Sequence, residues 1–281
     1  MIPSFLSAVI CVLLSASLWA ECAPDYRSDP KGGVIITDLI VTGTTSLGSA
    51  ELGAIRGKLI GTCADENPEQ LEEFIGNRFQ DQGYFAAKIQ NLNVRTVDPL
   101  SQPKQVALQA EVHEGERYKL SEIRFIGNHA LSSEELRAAF PLRKGAVFKR
   151  NEIAGSFERI RKLYAQHGYG DVTFIPQTEL ASGTVILTLD ITEGPQYHMG
   201  QLRIFGKEEV AERLKAEWGL REGAVFDFSY PTKYASHSGF PVDEYIHLVR
   251  NCPSARIDVQ LIVDRSDPQL QSEPGNVNCS E

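Results

Sequence analysis

The chain has 281 residues, a formal net charge of −9, 42% hydrophobic and 23% charged side chains. That acidic balance excludes nucleic acid or anionic lipid as the main partner, since phosphate binding needs a concentrated basic surface. The densest basic run, Arg143 to Arg150, reads as a solvated loop and helix start.

In chain order, residues 1–20 read as a secretory signal peptide: Phe5 to Trp19 is almost wholly apolar, too short to span a bilayer comfortably, and ends at Ala20. The stretch before it has no Lys or Arg, and a cut after Ala20 puts Leu18 where a small residue is preferred, so a retained N-terminal anchor is the competing reading. Glu21 directly before Cys22 argues against a lipoprotein. No later stretch approaches the roughly 20 consecutive apolar residues of a membrane helix, so a soluble or peripherally membrane-attached chain is expected. Residues 21–33 form a linker.

Of five cysteines, Cys11 lies in the signal, which leaves Cys22, Cys63, Cys252 and Cys279. An even number in an oxidising compartment suggests two disulfides. Three pairings are open, and order along the chain favours Cys22–Cys63 with Cys252–Cys279. No Cys-x-x-Cys occurs, so neither a thioredoxin-like site nor a zinc knuckle is supported.

The segment from Glu114-Gly115 through Tyr118 and Ile123-Arg124-Phe125-Ile126-Gly127 reappears 79 residues later, from Glu193-Gly194 through Tyr197 and Leu202-Arg203-Ile204-Phe205-Gly206. Leu142-Arg143-Lys144-Gly145-Ala146-Val147-Phe148 recurs in register as Leu220-Arg221-Glu222-Gly223-Ala224-Val225-Phe226. Two matches in register identify an internal repeat. Ile36 to Gly43 has the same strand-then-glycine shape, and Gly83-Tyr84 precedes Gly168-Tyr169 by 85 residues, which gives three modules at 34–116, 117–196 and 197–266, followed by a tail at 267–281.

The first module carries Asn67 as N-cap, Pro68 at the first helical position and Gln70 closing a capping box before Leu71, Phe74, Ile75 and Phe79. In the second, Lys119 to Ile126 alternates as a strand, and Ser132 with Glu135 forms a capping box for a short helix carrying Leu136, Ala139 and Phe140. Ile153, Phe157, Ile160, Leu163 and Tyr164 line one face of a longer helix that Gly168 terminates. Two strands follow, Asp171 to Thr178 and Thr184 to Thr192, joined at Ala181-Ser182-Gly183. The order is β-α-α-β-β. In the third module Pro231 stands where the second helix should run, so that helix is shortened or lost. Asp258 to Val263 supplies the last strand. Modules of this size bury only about 60% of their unfolded surface and gain by leaning on neighbours. With almost no slack at Glu114-Gly115 and Glu193-Gly194, a semi-rigid rod is expected.

Strand, glycine, two helices, Gly-Tyr, hairpin and then Glu-Gly before the next strand: this pattern, over about residues 34–266, resembles the polypeptide-transport-associated (POTRA) repeats of BamA-type outer-membrane assembly proteins. The resemblance implies an α+β fold of three tandem modules, each a three-stranded mixed sheet covered on one face by two helices. It implies a periplasmic location and a docking arm for unfolded outer-membrane polypeptides or assembly-machinery subunits. Such family members carry a C-terminal transmembrane barrel, which needs at least about eight strands of about ten residues. After Ser266 too little chain remains, so no barrel is expected here and membrane-insertion activity is not carried over.

By the family's strand order the second strand of each module is a free edge, whose unpaired N–H and C=O groups accept an extended peptide. The expected contacts are Ala87, Lys88, Ile89, Gln90, Leu92 and Val94 in the first module, and Val172, Thr173, Phe174 and Ile175 in the second. The competing reading is an edge guarded against aggregation, by Pro176 on the second edge and by Lys88 and Arg95 on the first. Backbone pairing carries little sequence information, so binding is expected to be broad, about micromolar or weaker.

No Gly-x-Ser-x-Gly, His-Glu-x-x-His, P-loop or Rossmann fingerprint is present. The six histidines are scattered, with His237 and His247 a poor metal pair. Acid pairs such as Glu72-Glu73 and Glu134-Glu135 read as helix-start charges. No enzyme, cofactor or metal is expected. The favoured function is a periplasmic polypeptide-binding protein of outer-membrane assembly or secretion; the alternative is an envelope or division scaffold that keeps its N-terminal anchor.

Overall fold

The computed structural model describes residues 33–44, 46–101, 103–238, 246–267 and 270. The expected signal peptide, Cys22, Cys279 and most of the tail lie outside these residues. The chain divides into two units: Met1–Arg78 with Ala87–Glu114, and Phe79–Ala86 with Gly115–Glu281.

The first unit carries β1 (Gly33–Thr42), α1 (Ser49–Leu59), β2 (Cys63–Asp65), α2 (Pro68–Gln80), β3 (Lys88–Asp98) and β4 (Lys104–His113). Its sheet runs β2-β1-β4-β3, with β1 and β4 parallel and the other pairs antiparallel. Inward positions Val34, Ile36, Leu39, Val106, Leu108, Ala110 and Val112 are buried, as are Ile55, Leu59, Leu71 and Ile75 of the helices. Burying each large aliphatic is worth about 1.5–3 kcal/mol. The sheet has one strand more than expected. Three-residue β2 shows no apolar alternation and exists through its antiparallel pairing with Gly33–Ile35. Asn67 caps α2 as expected, accepting from the Glu69 amide at 2.9 Å.

The second unit holds two sheets. Strands β5 (Lys119–Ile126), β6 (Thr173–Ala181) and β7 (Thr184–Thr192), with helices α3 (Ser133–Ala139) and α4 (Arg150–Gln166), make one module, its sheet ordered β5-β7-β6. Val185, Leu187, Leu189 and Ile191 alternate inward along β7 and meet Leu136, Phe140, Ile153, Ile160 and Tyr164 from the helices. The Ser132–Glu135 capping box starts α3. Strands β8 (His198–Phe205), β9 (Ile246–Asn251) and β10 (Arg256–Ile262) with helices α5 (Glu208–Glu217) and α6 (Tyr230–Ser238) make the other, ordered β8-β10-β9.

Helix α6 has 9 residues against 17 in α4, so the third module's second helix is shortened, not lost. Pro231 falls in its first turn, where a missing N–H costs no hydrogen bond. Trp218 seals the short helix, with its ring 4.9 Å from Tyr230 and 4.8 Å from Tyr234.

The second repeated motif has a structural task. Gly145–Phe148 runs antiparallel along the start of β5: Leu120 donates to the Ala146 carbonyl (2.9 Å), Gly145 to Leu120 (2.7 Å) and Phe148 to Tyr118 (2.9 Å). Gly223–Phe226 does the same for β8, through Met199 to Ala224 and Gly223 to Met199, both 2.7 Å, and Phe226 to Tyr197 at 2.9 Å.

Candidate functional site: the outer strands

β3 is the outer strand of the first sheet, bonded among the described residues to β4 alone. Ile89, Leu92 and Val94 are half-buried and alternate with exposed Lys88, Gln90 and Arg95, while Ala87 sits just before the strand. The register with β4 shifts at Ile89/Asn91 and again at Thr96/Asp98, leaving Gln90 and Val97 without a Cα partner. Such bulges twist an edge and are one way to guard it.

β6 is the outer strand of the second sheet and runs Thr173–Ala181, two residues later in its start and three later in its end than expected. Val172 is corrected: it precedes the strand, is 2% exposed and belongs to the core, so a guest strand would not reach it. Thr173 is exposed, and Ile175 is 62% exposed. Phe174 is half-buried against Phe157 and Tyr164, with the Arg161 guanidinium 5.3 Å from its ring centroid.

The hairpin fixes which groups β6 offers. Ser182 (φ 38°) and Gly183 (φ 70°) form a two-residue turn, whose closing pair Ala181 and Thr184 exchanges hydrogen bonds. Counting back along the unbroken register, Phe174, Pro176, Thr178 and Leu180 turn their backbone groups away from β7. Pro176 thus removes a donor from the outward row, in its middle.

Two further features were not read from the sequence. At the ends of β4 and β7, Glu114 Oε1 accepts from the Ser46 amide (2.6 Å) and hydroxyl (2.8 Å), and Glu193 Oε1 accepts from the His129 and Ala130 amides (2.8 and 2.9 Å) and the Tyr164 hydroxyl (2.9 Å). The glycine after each glutamate packs on the preceding turn, Gly115 on Ala86 and Gly194 on Asp171.

The turn after the second helix is gripped by the next module. Tyr118 N–H donates to the Gly83 carbonyl (2.9 Å), and Tyr197 N–H to Gly168 (2.8 Å). Gly83 and Gly168 have φ of +97° and +87°, and a Cβ would stand 2.4 Å from Val147 Cγ1 or 2.8 Å from the Tyr197 oxygen. In the later turn Asp171 accepts from Tyr197 Oη (2.6 Å) and pairs with Arg250 (3.1 Å). Burial first, and then the hydrogen bond to Asp171, pushes the Tyr197 phenol up to about 12.

Cys63 and Cys252 are each disulfide-bonded. The pairing expected from chain order rests on Cys22 and Cys279, outside the described residues. Among the described residues no cluster of three or more His, Cys, Asp or Glu is placed to hold a metal, and no helix is long and apolar enough to cross a membrane.

Residues 118–194 match the family model described as POTRA, surface antigen variable number repeat. A putative outer membrane protein assembly factor of Treponema pallidum is 27% identical over 169 residues, covering 56% of this chain and 20% of its own length. The outer membrane protein assembly factor BamA of Buchnera aphidicola is 25% identical over 167 residues, 57% of this chain and 27% of its own. The chain therefore spans between 20% and 27% of the length of these curated relatives. The crystal structure of Haemophilus influenzae BamA POTRA3-5 has a TM-score of 0.58 and 22% identity, covering 83% of this chain and 97% of that one, a likeness of fold. Residues 118–194 are a POTRA repeat, and the three mixed sheets with their paired helices have the architecture of consecutive POTRA domains.

Proposed function

We propose that this chain is an exported, non-enzymatic docking arm that binds extended polypeptides, or subunits of an outer-membrane assembly or secretion machinery, in the periplasm. The observation that carries the reading is β3: an 11-residue outer strand without proline, bonded on one side only among the described residues, with half-buried Ile89, Leu92 and Val94 beside exposed neighbours. β6 is the weaker edge, since Pro176 interrupts its outward donors. The names of the curated relatives support a link to outer-membrane assembly, and the bonded Cys63 and Cys252 fit an oxidising compartment. The working modules are those drawn at 34–116, 117–196 and 197–266, and the disulfides those favoured by chain order. Strand addition supplies main-chain hydrogen bonds and little side-chain selectivity, so affinity is about micromolar or weaker.

The test places a photo-crosslinking residue at exposed Gln90 in the full chain expressed in cells. Capture of outer-membrane polypeptides or assembly subunits from Gln90, but not from Glu158 on the α4 surface, is the expected result. Capture of a cytoskeletal or cell-wall factor instead would replace the reading with an envelope scaffold.

A further inference from the structure

The margin of the second sheet opposite β6 is closed by the chain over only part of its length. Gly145–Phe148 covers Tyr118 to Leu120, and beyond the register shift at Leu120/Glu122 no strand lies outside β5 among the described residues. Parity again decides which groups face outward. Thr184, Ile186 and Thr188 of β7 bond towards β6, so Val185, Leu187 and Leu189 turn towards β5. In a parallel pair such residues bond the neighbours of their Cα partner and leave the partner's own groups pointing away. The partners are Leu120, Ile123 and Phe125. Leu120 obeys the rule: its outward groups are taken up by Ala146 and Gly145. Ile123 and Phe125 then present two donors and two acceptors in a row at the open margin.

A cleft of about 700 Å³ lies against that stretch, lined by Ile123, Arg124 and Phe125 of β5, by Glu134 and Arg137 of α3, and by Arg143. Ile123 and Phe125 point to the helix face and Arg124 to the other, so a space touching all three sits over the strand margin. Its charge is lopsided. Arg124 is forked onto Glu122 (2.9 and 2.8 Å), and Arg137 is held by the Phe140 and Leu142 carbonyls (2.6 and 2.8 Å), which fixes its charge in place without neutralising it. Arg143 is exposed and has no ion pair among the described residues. Arg124 is answered by Glu122 and by Glu179 at 3.8 Å, so the excess rests on Arg137 and Arg143 against the lining carboxylate of Glu134, in a chain of net charge −9.

The third module repeats the set. Arg203 and Arg221 occupy the positions of Arg124 and Arg143 in the two repeated segments. Lys215 accepts from the Trp218 amide as Arg137 accepts from Phe140, both at 3.3 Å. In the first module the last turn of α1 carries Arg56, which is paired with Asp38 at 3.0 Å.

We infer that the β5 margin beside α3 is a second strand-accepting groove, selective for extended acidic segments of a partner polypeptide. It uses neither β3 nor β6, so it extends the proposed function and can fail separately from it.

The probe is a fluorescein-labelled peptide of about eight residues alternating Val and Glu, with a Val–Lys peptide as its counterpart, both titrated against the full exported chain at low salt. The Glu peptide should bind more tightly and slow hydrogen exchange at 122–126. Arg143→Glu should weaken it about five- to tenfold, as reversal of a rim charge does. Phe125→Pro should abolish binding by deleting an outward donor; if that variant fails to fold, Arg143→Glu decides alone. Equal binding of the two peptides, unchanged affinity in Arg143→Glu, or slowed exchange confined to 88–98 or 173–181 would overturn the inference. A neutral peptide that protects 88–98 tests the β3 reading on its own.

Discussion

The turns at Gly83–Ala86 and Gly168–Asp171 are gripped through the same backbone bond, by Tyr118 in one case and Tyr197 in the other, yet their side chains divide the work differently. In the earlier turn the ring comes from the turn itself: Phe85 packs tilted against Phe148, with ring centroids 4.6 Å apart. In the later turn the equivalent residue is Gly170, and the ring comes from the other partner, Phe228, which fills the space a Cβ on Gly170 would need. Ala86 is likewise answered by Asp171, which ties Tyr197 to Arg250. Glycine geometry and the tyrosine amide define the grip, and either side can supply the filling.

The largest effects should come from disturbing that filling. Phe228→Ala is expected to cost about 3 kcal/mol in urea unfolding of the whole chain. Gly170→Phe alone should cost about 2–3 kcal/mol by overpacking. Combined with Phe228→Arg, which restores the Arg150 arrangement of the preceding module, it should recover more than half of the summed loss; strict additivity would show that the two turns are not interchangeable solutions.

Asp171→Ala comes next, at about 2 kcal/mol, because it leaves a buried phenol and a partly buried guanidinium without their acceptor. Arg117→Ala in the earlier turn, which loses an exposed hydrogen bond to the Gln82 carbonyl and a guanidinium–ring contact with Tyr84 at 5.9 Å, should cost about 1 kcal/mol. Equal losses would erase the contrast.

Alkaline pH acts on the later turn. The unfolded phenol ionises near pH 10 and the folded Tyr197 at about 12, so its share of stability is complete below pH 10 and disappears as pH rises towards 12. That share is on the order of 2 kcal/mol at most, and Tyr197→Phe should flatten the alkaline decline measured by denaturant midpoint. The smallest effect is salt. The Asp171–Arg250 pair is about one-third exposed, so the stability gap between the native chain and Asp171→Asn should narrow by about 0.5 kcal/mol or less between low and high ionic strength.

The parts read most directly from the sequence are those where local chemistry and burial agree. β5 and β7 occupy the residues their alternation marks, the Ser132–Glu135 box starts α3, and Gly168 ends α4. Helix α1 went unread because Ile55 and Leu59 are its only two fully buried residues and three glycines flank or interrupt it. Strand β2 carries no pattern of its own, since a partner strand creates it. Of the expected contacts, Lys88, Ile89, Gln90, Leu92, Val94, Thr173, Phe174 and Ile175 lie on outer strands and Ala87 just before one, while Val172 is drawn into the core because the chain becomes a strand only after it. The outward direction of Pro176 depends on counting back along the register from the two-residue turn at Ser182–Gly183, which composition does not reveal. The carboxylate of Asp171 looked like an ordinary strand start, as its partners Tyr197 and Arg250 lie 26 and 79 positions away.

Glu193 and Gly194 are neighbours in the chain with opposite allegiances: the carboxylate fastens the module that ends there, and the glycine settles onto the turn that the next module grips. One of the borders between the two units falls at the equivalent bond, between Glu114 and Gly115. A gene duplication or deletion with its breakpoint at that pair of codons keeps the carboxylate and glycine contacts whole on both sides. Arrays of different copy number built from this unit must still match the ring filling at each new joint, because Phe85 comes from the turn and Phe228 from the module that grips it.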